Sequence, residues 1–387
     1  MNSGRTTVNL RGRLRALTGG VAVILALVTG VQGIAHAAVS PTPTKTMNFG
    51  GPAIYDLVVL DSGRVIVVGK FTSIGPNQRS NVGALLPTGK ADTAFAPVTN
   101  GEVRAVAASE DGSRVFIGGT FTEVNGVARQ NLAALDAVTG ALITDWQADT
   151  TGTIPTVKSL AVYGDRLYVG GKFNTIDGAA KQKLAVVGVT TGDIVPWSTW
   201  VNGNVNEVRV SPDGATVWIG GSFNKIRGIE RFYFAGIDAV SGLPTSFERL
   251  AGGGYVVTVA MNADGSTVYA STENNTIFAY QPTVSNDPVW TTKMSGNTHA
   301  MAVSPTEIYI GGHFAGFNQP SINRPFLASI DPATGEPTSW DPGASGLKSG
   351  TWAIVIAGNT LHVGGQFTHF HGVQQRLYAQ FAGTPTP

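Results

Sequence analysis

One internal phrase recurs seven times along the sequence at a nearly constant period. It has the form apolar–x–apolar–Gly–Gly–x–Phe–Thr/Asn, with small variations, as in VFIGGTFT from Val115. The fifth copy, VYASTENN from Val268, has lost both the glycines and the phenylalanine. Successive copies are 50, 52, 50, 51, 40 and 53 residues apart, measured at Phe71, Phe121, Phe173, Phe223, Asn274, Phe314 and Phe367. Such a period indicates one supersecondary unit per repeat, packed beside its neighbours.

Each unit contains four strand signals separated by turns. In the second unit these are residues 103–109, 115–121, 131–137 and 141–146. Four antiparallel strands per unit predict an all-β, seven-bladed β-propeller over residues 44–382. The paired glycines lack a Cβ and should let neighbouring sheets approach closely. Aromatic residues near the end of each unit are predicted to be wedges between blades: Phe95, Trp146, Trp197, Phe247, Trp290 and Trp340.

The two ends of the repeat region are predicted to complete each other. The seventh unit stops after its third strand, Arg376 to Phe381, and a short strand signal, Thr44 to Phe49, precedes the first unit and ends in an aromatic residue. We expect this N-terminal strand to complete the last blade. The pairing would close the ring and remove two exposed sheet edges.

The motif GG-x-F-T-x-x-x-G, from Gly118 to Gly126, followed by Leu132 to Asp136 and by Trp146, resembles the delta-sixty repeat of secreted and surface bacterial β-propellers. It resembles the kelch and WD-type propellers more loosely. The resemblance extends over nearly all of the repeat region and is weakest in the fifth unit. It implies a propeller fold, but no particular reaction, since most members of this family have none assigned.

The first 37 residues have the features of a secretory signal peptide. Four arginines precede the apolar core Val21 to Val28, and Ala35-His36-Ala37 fits the rule for a cleavage site. The apolar core is shorter than the ~20 residues of a membrane span. We therefore expect a secreted, extracellular protein with no span in the mature chain. Pro/Thr-rich residues 38–43 and 383–387 predict a linker and a flexible tail.

Composition excludes several classes of function. The chain has 26 Lys and Arg against 25 Asp and Glu, but four arginines belong to the signal peptide, which leaves a net charge of −3. Nucleic-acid binding usually needs a strongly basic domain, so we expect no nucleic-acid partner. The absence of cysteine means that a large core, rather than disulfides, stabilises the fold. No common nucleophile, phosphate or zinc motif is present, and we expect no cofactor.

Histidines at positions 369 and 371 raise the question of a metal site, because residues two apart on a strand point the same way. Alignment places His371-Gly372 with Asn125-Gly126, in a turn that favours positive φ. We therefore predict a turn there and no metal.

A basic residue follows the marker position in six units: Arg79, Arg129, Lys181, Arg231, Arg324 and Arg376. One interpretation is a ring that captures an anionic polymer. The other, which we favour, is that each residue ties its own loop to a nearby acid such as Asp136, Asp238 or Asp331, because a residue present in every regular blade usually serves the blade.

Function in a repeat protein should lie where the units differ. The start of each inner strand lines the channel mouth, and the aligned residues there are dissimilar: Tyr55, Arg104, Lys158, Asn206, Val257, His299 and Trp352. The fifth unit also replaces a longer loop by Glu273-Asn274-Asn275, which should leave a notch. We expect Phe232 and Tyr233 on one wall of this notch, and His299 with His313 on the other. These positions form the predicted ligand-binding site.

Two functions are compatible with this site. The first is a monomeric extracellular binding or scaffold protein that recognises a glycan, a cell-wall polymer or a protein partner over the channel mouth. The second is a propeller lyase or hydrolase acting on an extracellular, anionic polymer, with His299 as acid or base and Arg104 or Lys158 steadying the substrate. Carboxylates near the site are few, namely Asp56 and Glu207. We therefore favour binding over catalysis.

Overall fold

The computed structural model describes residues 39–249, 253–318 and 321–383. The predicted signal peptide and residues 384–387 of the predicted tail lie outside this range. The described residues form strands and turns without a helix, which confirms the all-β class. None of them belongs to a helix that is long and apolar enough to cross a membrane.

The longer described strands form seven sheets of three or four strands, numbered here as blades 1 to 7 in chain order. The inner strands are Ala53–Val59, Val103–Ala108, Thr156–Tyr163, Val205–Val210, Val256–Met261, Thr298–Val303 and Ala344–Ala357. The second strands are Val65–Lys70, Arg114–Gly119, Arg166–Lys172, Thr216–Gly221, Val268–Thr272, Ile308–Gly312 and Thr360–Phe370. The third strands are Val82–Leu85, Leu132–Asp136, Leu184–Gly188, Phe234–Asp238, Thr276–Tyr280, Leu327–Ile330 and Tyr378–Ala382.

The fourth strand of each blade is shorter than the sequence predicts. Only blade 5 has a regular one among the described residues, Trp290–Lys293. In blades 1, 2, 3, 4 and 6 the fourth segment makes a single bridge to the third strand, for example Leu142 to Leu135. In blades 4 and 6 the bridging residue is a proline, Pro244 or Pro337, which has no N–H to extend the ladder.

Short hairpins form a collar next to the blades. They are Ser73–Ile74 with Asn77–Gln78, Glu123–Val124 with Val127–Ala128, Thr175–Ile176 with Ala179–Ala180, Lys225–Ile226 with Ile229–Glu230, and Gly316–Asn318 with Ser321–Asn323. In blade 7 the second strand itself continues into a hairpin with Val373–Gln374. Phe49–Gly50 and Thr150–Thr151 add a third strand to two of these hairpins. The turn residues Asn125, Asp177, Arg227 and His371 all have positive φ, as the alignment predicts.

The sheets close into a ring. The apolar core of the described residues divides into seven clusters, and each cluster joins two neighbouring blades, including blades 7 and 1. The predicted wedges lie in or against these clusters, and Trp146 donates its indole N–H to Gly188 O of the next blade at 3.0 Å. Each blade therefore buries both of its faces only when it has two neighbours, which is the physical basis of a propeller.

The N-terminal segment pairs with the last blade, as the sequence predicts, but from an earlier residue. Thr44 N donates to Gln380 O at 2.7 Å and Ser40 N to Ala382 O at 2.9 Å. The predicted linker is therefore bound to the blade from Val39 onward, because Val39 is buried in the core between blades 6 and 7.

The sequence predicts that Phe49 ends the fourth strand of the last blade, but in the structure Phe49 lies elsewhere. It lies in the collar opposite Ile74. From there its ring contacts Phe71 of blade 1 at 5.3 Å and Tyr378 of blade 7 at 6.0 Å between centroids. It joins the first and last blades from the collar.

Candidate functional site

Every inner strand carries a β-bulge near its start. Pairing with the second strand shifts register there, and the extra residue in blades 1 to 7 is Tyr55, Arg104, Lys158, Asn206, Val257, His299 and Trp352 respectively. A bulge leaves one residue outside the ladder and re-aims its side chain. These are the seven positions that alignment assigned to the channel mouth.

The bulged residues surround one cavity of about 680 Å³ that follows the inner strands. All seven bulged residues line it, and its lining continues along the strands to Tyr163 and Pro212. The structure thus brings the predicted mouth positions together in a single channel. That they bind a ligand remains a prediction.

Four aromatic or imidazole rings form an arc on one side of this mouth. His299 stacks on Trp352 with ring centroids 4.2 Å apart, and the edge of Tyr55 meets Trp352 at 5.9 Å. His313, which directly follows the second strand of blade 6, joins His299 through a 2.8 Å contact between His313 Nδ1 and His299 Nε2. Arg104 extends the arc, with its guanidinium 4.8 Å from the centre of the Tyr55 ring, within cation–π range.

The environment of His299 does not suit an acid or base at neutral pH. Burial, together with the smaller effect of the neighbouring His313, lowers the pKa of His299 to about 4. The imidazole is therefore neutral and a weak base. Its Nε2 is also engaged by His313. These features favour a stacking role for His299 over the catalytic one that the sequence left open.

Polar and charged groups occupy the other side of the mouth. Glu102 pairs with Lys70 at 2.9 Å and with Arg104 at 2.6 Å. Lys158 Nζ donates to Asn206 Oδ1 at 2.8 Å, and Asn206 Nδ2 in turn donates to the carbonyl of Val256 at 2.9 Å. The mouth residues of neighbouring blades thus hold one another in place.

A second polar layer lies one residue beyond the bulges. Asp56 accepts hydrogen bonds from Val106 N at 2.9 Å and from Leu57 N at 2.8 Å. Ser159 Oγ accepts from Val208 N at 3.0 Å. The inner strand is the edge of its sheet, so backbone N–H groups on its channel side have no ladder partner, and these side chains satisfy some of them from the preceding or the same blade.

The carboxyl groups in this layer are shifted toward the neutral form. Desolvation in the channel wall raises the pKa of Asp56 to about 7, and it also raises the pKa of Glu207. From the sequence, Asp56 and Glu207 were identified only as nearby carboxylates, and Ser159 and Thr258, which also line the channel, were missed. Their position could have revealed them, since each of the four directly follows one of the bulged residues.

Phe232 and Tyr233, which the sequence places on one wall of a notch beside the channel mouth, are not among the residues that line the channel, and their role in binding stays a prediction. They directly precede the third strand of blade 4. Tyr233 meets Phe232 at 6.1 Å and Tyr255 at 5.4 Å, which gives a separate aromatic group. The backbone carbonyl oxygen of Tyr255 accepts a hydrogen bond from the backbone N–H of Glu273, so this aromatic group borders the tight turn of blade 5.

Four of the recurring basic residues hold their own blade together through carbonyl oxygens, while Arg324 and Arg231 pair with acids other than those named from the sequence, Asp341 at 3.3 Å and Glu248 at 3.9 Å. The four donate to backbone carbonyls in the fourth segment of their own blade: Arg79 to Asp92, Arg129 to Thr144, Lys181 to Trp197 and Arg231 to Thr245. The predicted partner Asp136 instead accepts hydrogen bonds from Val138 and Thr139 in its own turn. A short fourth segment has few ladder bonds, and these side chains supply the missing ones.

His369 and His371 of blade 7 make separate contacts. His369 Nδ1 contacts Thr368 Oγ1 at 2.9 Å, whereas His371 Nε2 contacts the carbonyl oxygen of Asp341 at 2.8 Å. No group of three His, Cys, Asp or Glu residues suitable for a metal ion occurs in the described part of the chain.

Comparison with known proteins adds information about the fold. No family model and no curated protein matches the sequence. A chain in a crystal structure of the mitotic checkpoint complex matches with a TM-score of 0.62 at 14% identity, over 97% of this chain and 99% of that one. The WD40 β-propeller domain of Doa1 gives 0.59 at 13% identity, over 90% and 98%. The computationally designed Ika8 protein gives 0.54 at 13% identity, over 88% and 99%.

This protein is a β-propeller similar to WD40 propellers. The looser of the two resemblances noted from the sequence is therefore confirmed. At these identities the likeness concerns the fold alone.

Proposed function

We propose that this propeller is an extracellular binding or scaffold protein that holds a glycan, a cell-wall polymer or a protein partner over the channel mouth. One observation carries the proposal. Seven bulges turn seven dissimilar side chains into one cavity of about 680 Å³, whereas the rest of each blade repeats a common pattern. Concave sites with a few converging polar groups among aromatic ones are typical of ligand pockets.

We also propose that the protein is secreted after cleavage near Ala37 and that its repeat belongs to the delta-sixty group. The basic and apolar segments of the first 37 residues support secretion. The GG-x-F-T-x-x-x-G motif supports the repeat assignment, because its conformation recurs around the collar turns. Sequencing the N-terminus of the protein from culture medium tests secretion. A protein that stays in the cells with its first residues intact would contradict it.

Ligand binding at the mouth is tested with a glycan array and a thermal-shift screen of residues 38–387. A ligand that binds only the folded state stabilises it by about 2.7 kcal/mol at a concentration of a hundred times its Kd, and it therefore raises the melting temperature. We expect Trp352→Ala and His299→Ala to abolish the shift given by any ligand found, because both rings face the cavity.

Trp200→Ala is the matched control, since Trp200 is an exposed aromatic residue that does not line the cavity. It should leave the shift unchanged. Ligands whose affinity is the same in wild type and in both mouth variants would place binding elsewhere on the protein.

A further inference from the structure

Blade 3 differs from the other blades in the charge that it presents at the channel mouth. Lys158 is the bulged residue of its inner strand, and Lys172 ends its second strand opposite Thr156. Lys183 precedes its third strand, and the carbonyl of Lys183 accepts a hydrogen bond from Gly171 N at 3.0 Å. Three neighbouring strands therefore each present a lysine at the same end of the blade. We call these residues the lysine corner.

The three lysines and Arg104 of blade 2 are close enough to affect one another electrostatically. Burial lowers the pKa of Lys158, and the charges of Arg104 and Lys172 lower it further. Burial also lowers the pKa of Lys183, with Lys172 again adding to the effect. Like charges held together in this way repel one another, and a bound anion would relieve that repulsion.

The corner lacks the carboxylate that balances the equivalent lysine in blade 1. There Lys70, at the position of Lys172, pairs with Glu102 of the following blade at 2.9 Å. The residue of blade 4 that corresponds to Glu102 is Asn204, as shown by the matching contacts of Gly119 and Gly221. Within the described residues, no lysine of the corner forms an ion pair with a carboxylate.

Lys183 replaces a residue with a structural role. Blades 1 and 2 have Asn81 and Asn131 at this position, and each donates its side-chain amide to the segment leading into the next blade. Lys183 instead donates to the carbonyl of Phe173 and to Asn174 Oδ1, both within blade 3. Blade 3 thus gives up a contact between blades and gains a cation close to Lys172.

We propose that the lysine corner, with Arg104, binds the carboxylates of an acidic polysaccharide. This inference rests on the proposed function and narrows its ligand. Clustered amines bind oxyanions through charge-assisted hydrogen bonds. The rings of Tyr55 and Trp352 line the cavity that Lys158 and Arg104 also line, and the apolar faces of sugar rings can pack on them there.

The test is calorimetric titration of residues 38–387 with an oligogalacturonate and, separately, with its methyl ester, which has the same sugar backbone without the charge. Inorganic phosphate is titrated as a third probe. The variants are Lys172→Gln and Lys183→Asn, the latter introducing the residue that blades 1 and 2 contain. Lys225→Gln removes an exposed charge from the collar of blade 4, outside the cavity lining, and is the control.

We expect wild type to bind the acid about tenfold more tightly than the ester, since hydrogen bonds to charged groups contribute about 1.5–3 kcal/mol. Each corner variant should lose about fivefold to tenfold for the acid and nothing for the ester, and Lys225→Gln should match wild type. Equal affinity for acid and ester, or phosphate binding without oligosaccharide binding, would overturn the inference.

The two proposals fail in different ways. Suppose that a ligand loses affinity in Trp352→Ala but binds equally well with or without its charge and in the corner variants. That result would overturn the proposal of an acidic ligand and would still support the mouth as a binding site. If no ligand of the protein responds to any mouth variant, both proposals fall.

Discussion

His362 illustrates how a single residue can depart from its repeat. It occupies the position of Phe116 and Tyr168 in the second strand, where other blades bury an aromatic ring between sheets. In blade 7 the imidazole is 5% exposed, and its Nδ1 contacts the hydroxyl of Tyr378 at 2.7 Å. Burial lowers the pKa of His362 to about 4, so the folded protein keeps this side chain neutral.

This burial predicts a pH dependence of stability. An unfolded histidine takes up a proton near pH 6.5, whereas folded His362 does so only near pH 4. Between these values the unfolded state binds more protons, so the free energy of unfolding decreases as pH falls, by about 3 kcal/mol in total. We expect His362→Phe to become more stable relative to wild type as pH drops from 7 to 4.

The comparison is made by thermal melts of both proteins across this range. His299, Asp56 and Glu207 also have shifted pKa values but are common to both proteins, so the difference isolates position 362. The change in packing at position 362 gives a difference in melting temperature between the two proteins, which is measured at pH 8. An offset that stays constant down to pH 4 would mean that His362 titrates normally in the folded protein.

At the scale of the element, the paired glycines of the second strand serve two different surfaces. A Cβ on Gly118 would lie 2.4 Å from Val157 of the next blade, which agrees with the predicted close approach of sheets. A Cβ on Gly119 would lie 2.1 Å from the carbonyl oxygen of Glu102, in its own blade. The second glycine therefore makes room for the bulge that builds the mouth.

We expect Gly119→Ala to destabilise the protein by about 3 kcal/mol, because the obstructing atom belongs to the backbone and cannot rotate away. Gly164→Ala is the control: Gly164 has positive φ but no atom within 4 Å of an added Cβ, so only backbone strain remains and the variant should lose only about 1 kcal/mol. Chemical denaturation of both variants measures the difference. Equal losses would show that the bulge tolerates a side chain opposite it.

At the scale of the whole molecule, the ring depends on strands from both ends of the chain. Phe49 is 1% exposed between Phe71 and Tyr378, and Arg376 N donates to Asn48 Oδ1 at 2.8 Å. Gln375 Nε2 reaches Thr46 Oγ1 at 2.6 Å. These contacts leave neither the first nor the last blade with an open edge at this junction.

A chain that begins at residue 51 should therefore melt at a lower temperature than one that begins at residue 38. Adding a peptide of residues 39–50 should restore part of the loss, since an added strand can pair with an open sheet edge. The same peptide with Phe49→Ala should restore less, because truncating a buried phenylalanine costs about 3–5 kcal/mol. Identical melts for the two chains would mean that the terminal strand does not fasten the ring.

Much of the site could be foreseen from the sequence because the repeat supplied its own alignment. The mouth positions followed from counting along equivalent inner strands, and the positive φ of His371 followed from Asn125. The distance of Phe232 and Tyr233 from the channel could not be foreseen, because a position in the repeat does not give the radial distance from the channel. Most partners of the recurring basic residues were missed, since carbonyl acceptors leave no trace in a sequence.

The period, the strand and turn chemistry and the need for a closed assembly are written in the chain itself, because local propensities and apolar alternation act over a few residues. Which side chains of different blades meet was decided only when the ring closed. The stacking of His299 on Trp352 and the contact of Arg104 with the Tyr55 ring join residues that are far apart in sequence. No local pattern encodes such neighbours, since their distance depends on the curvature of the assembled sheets.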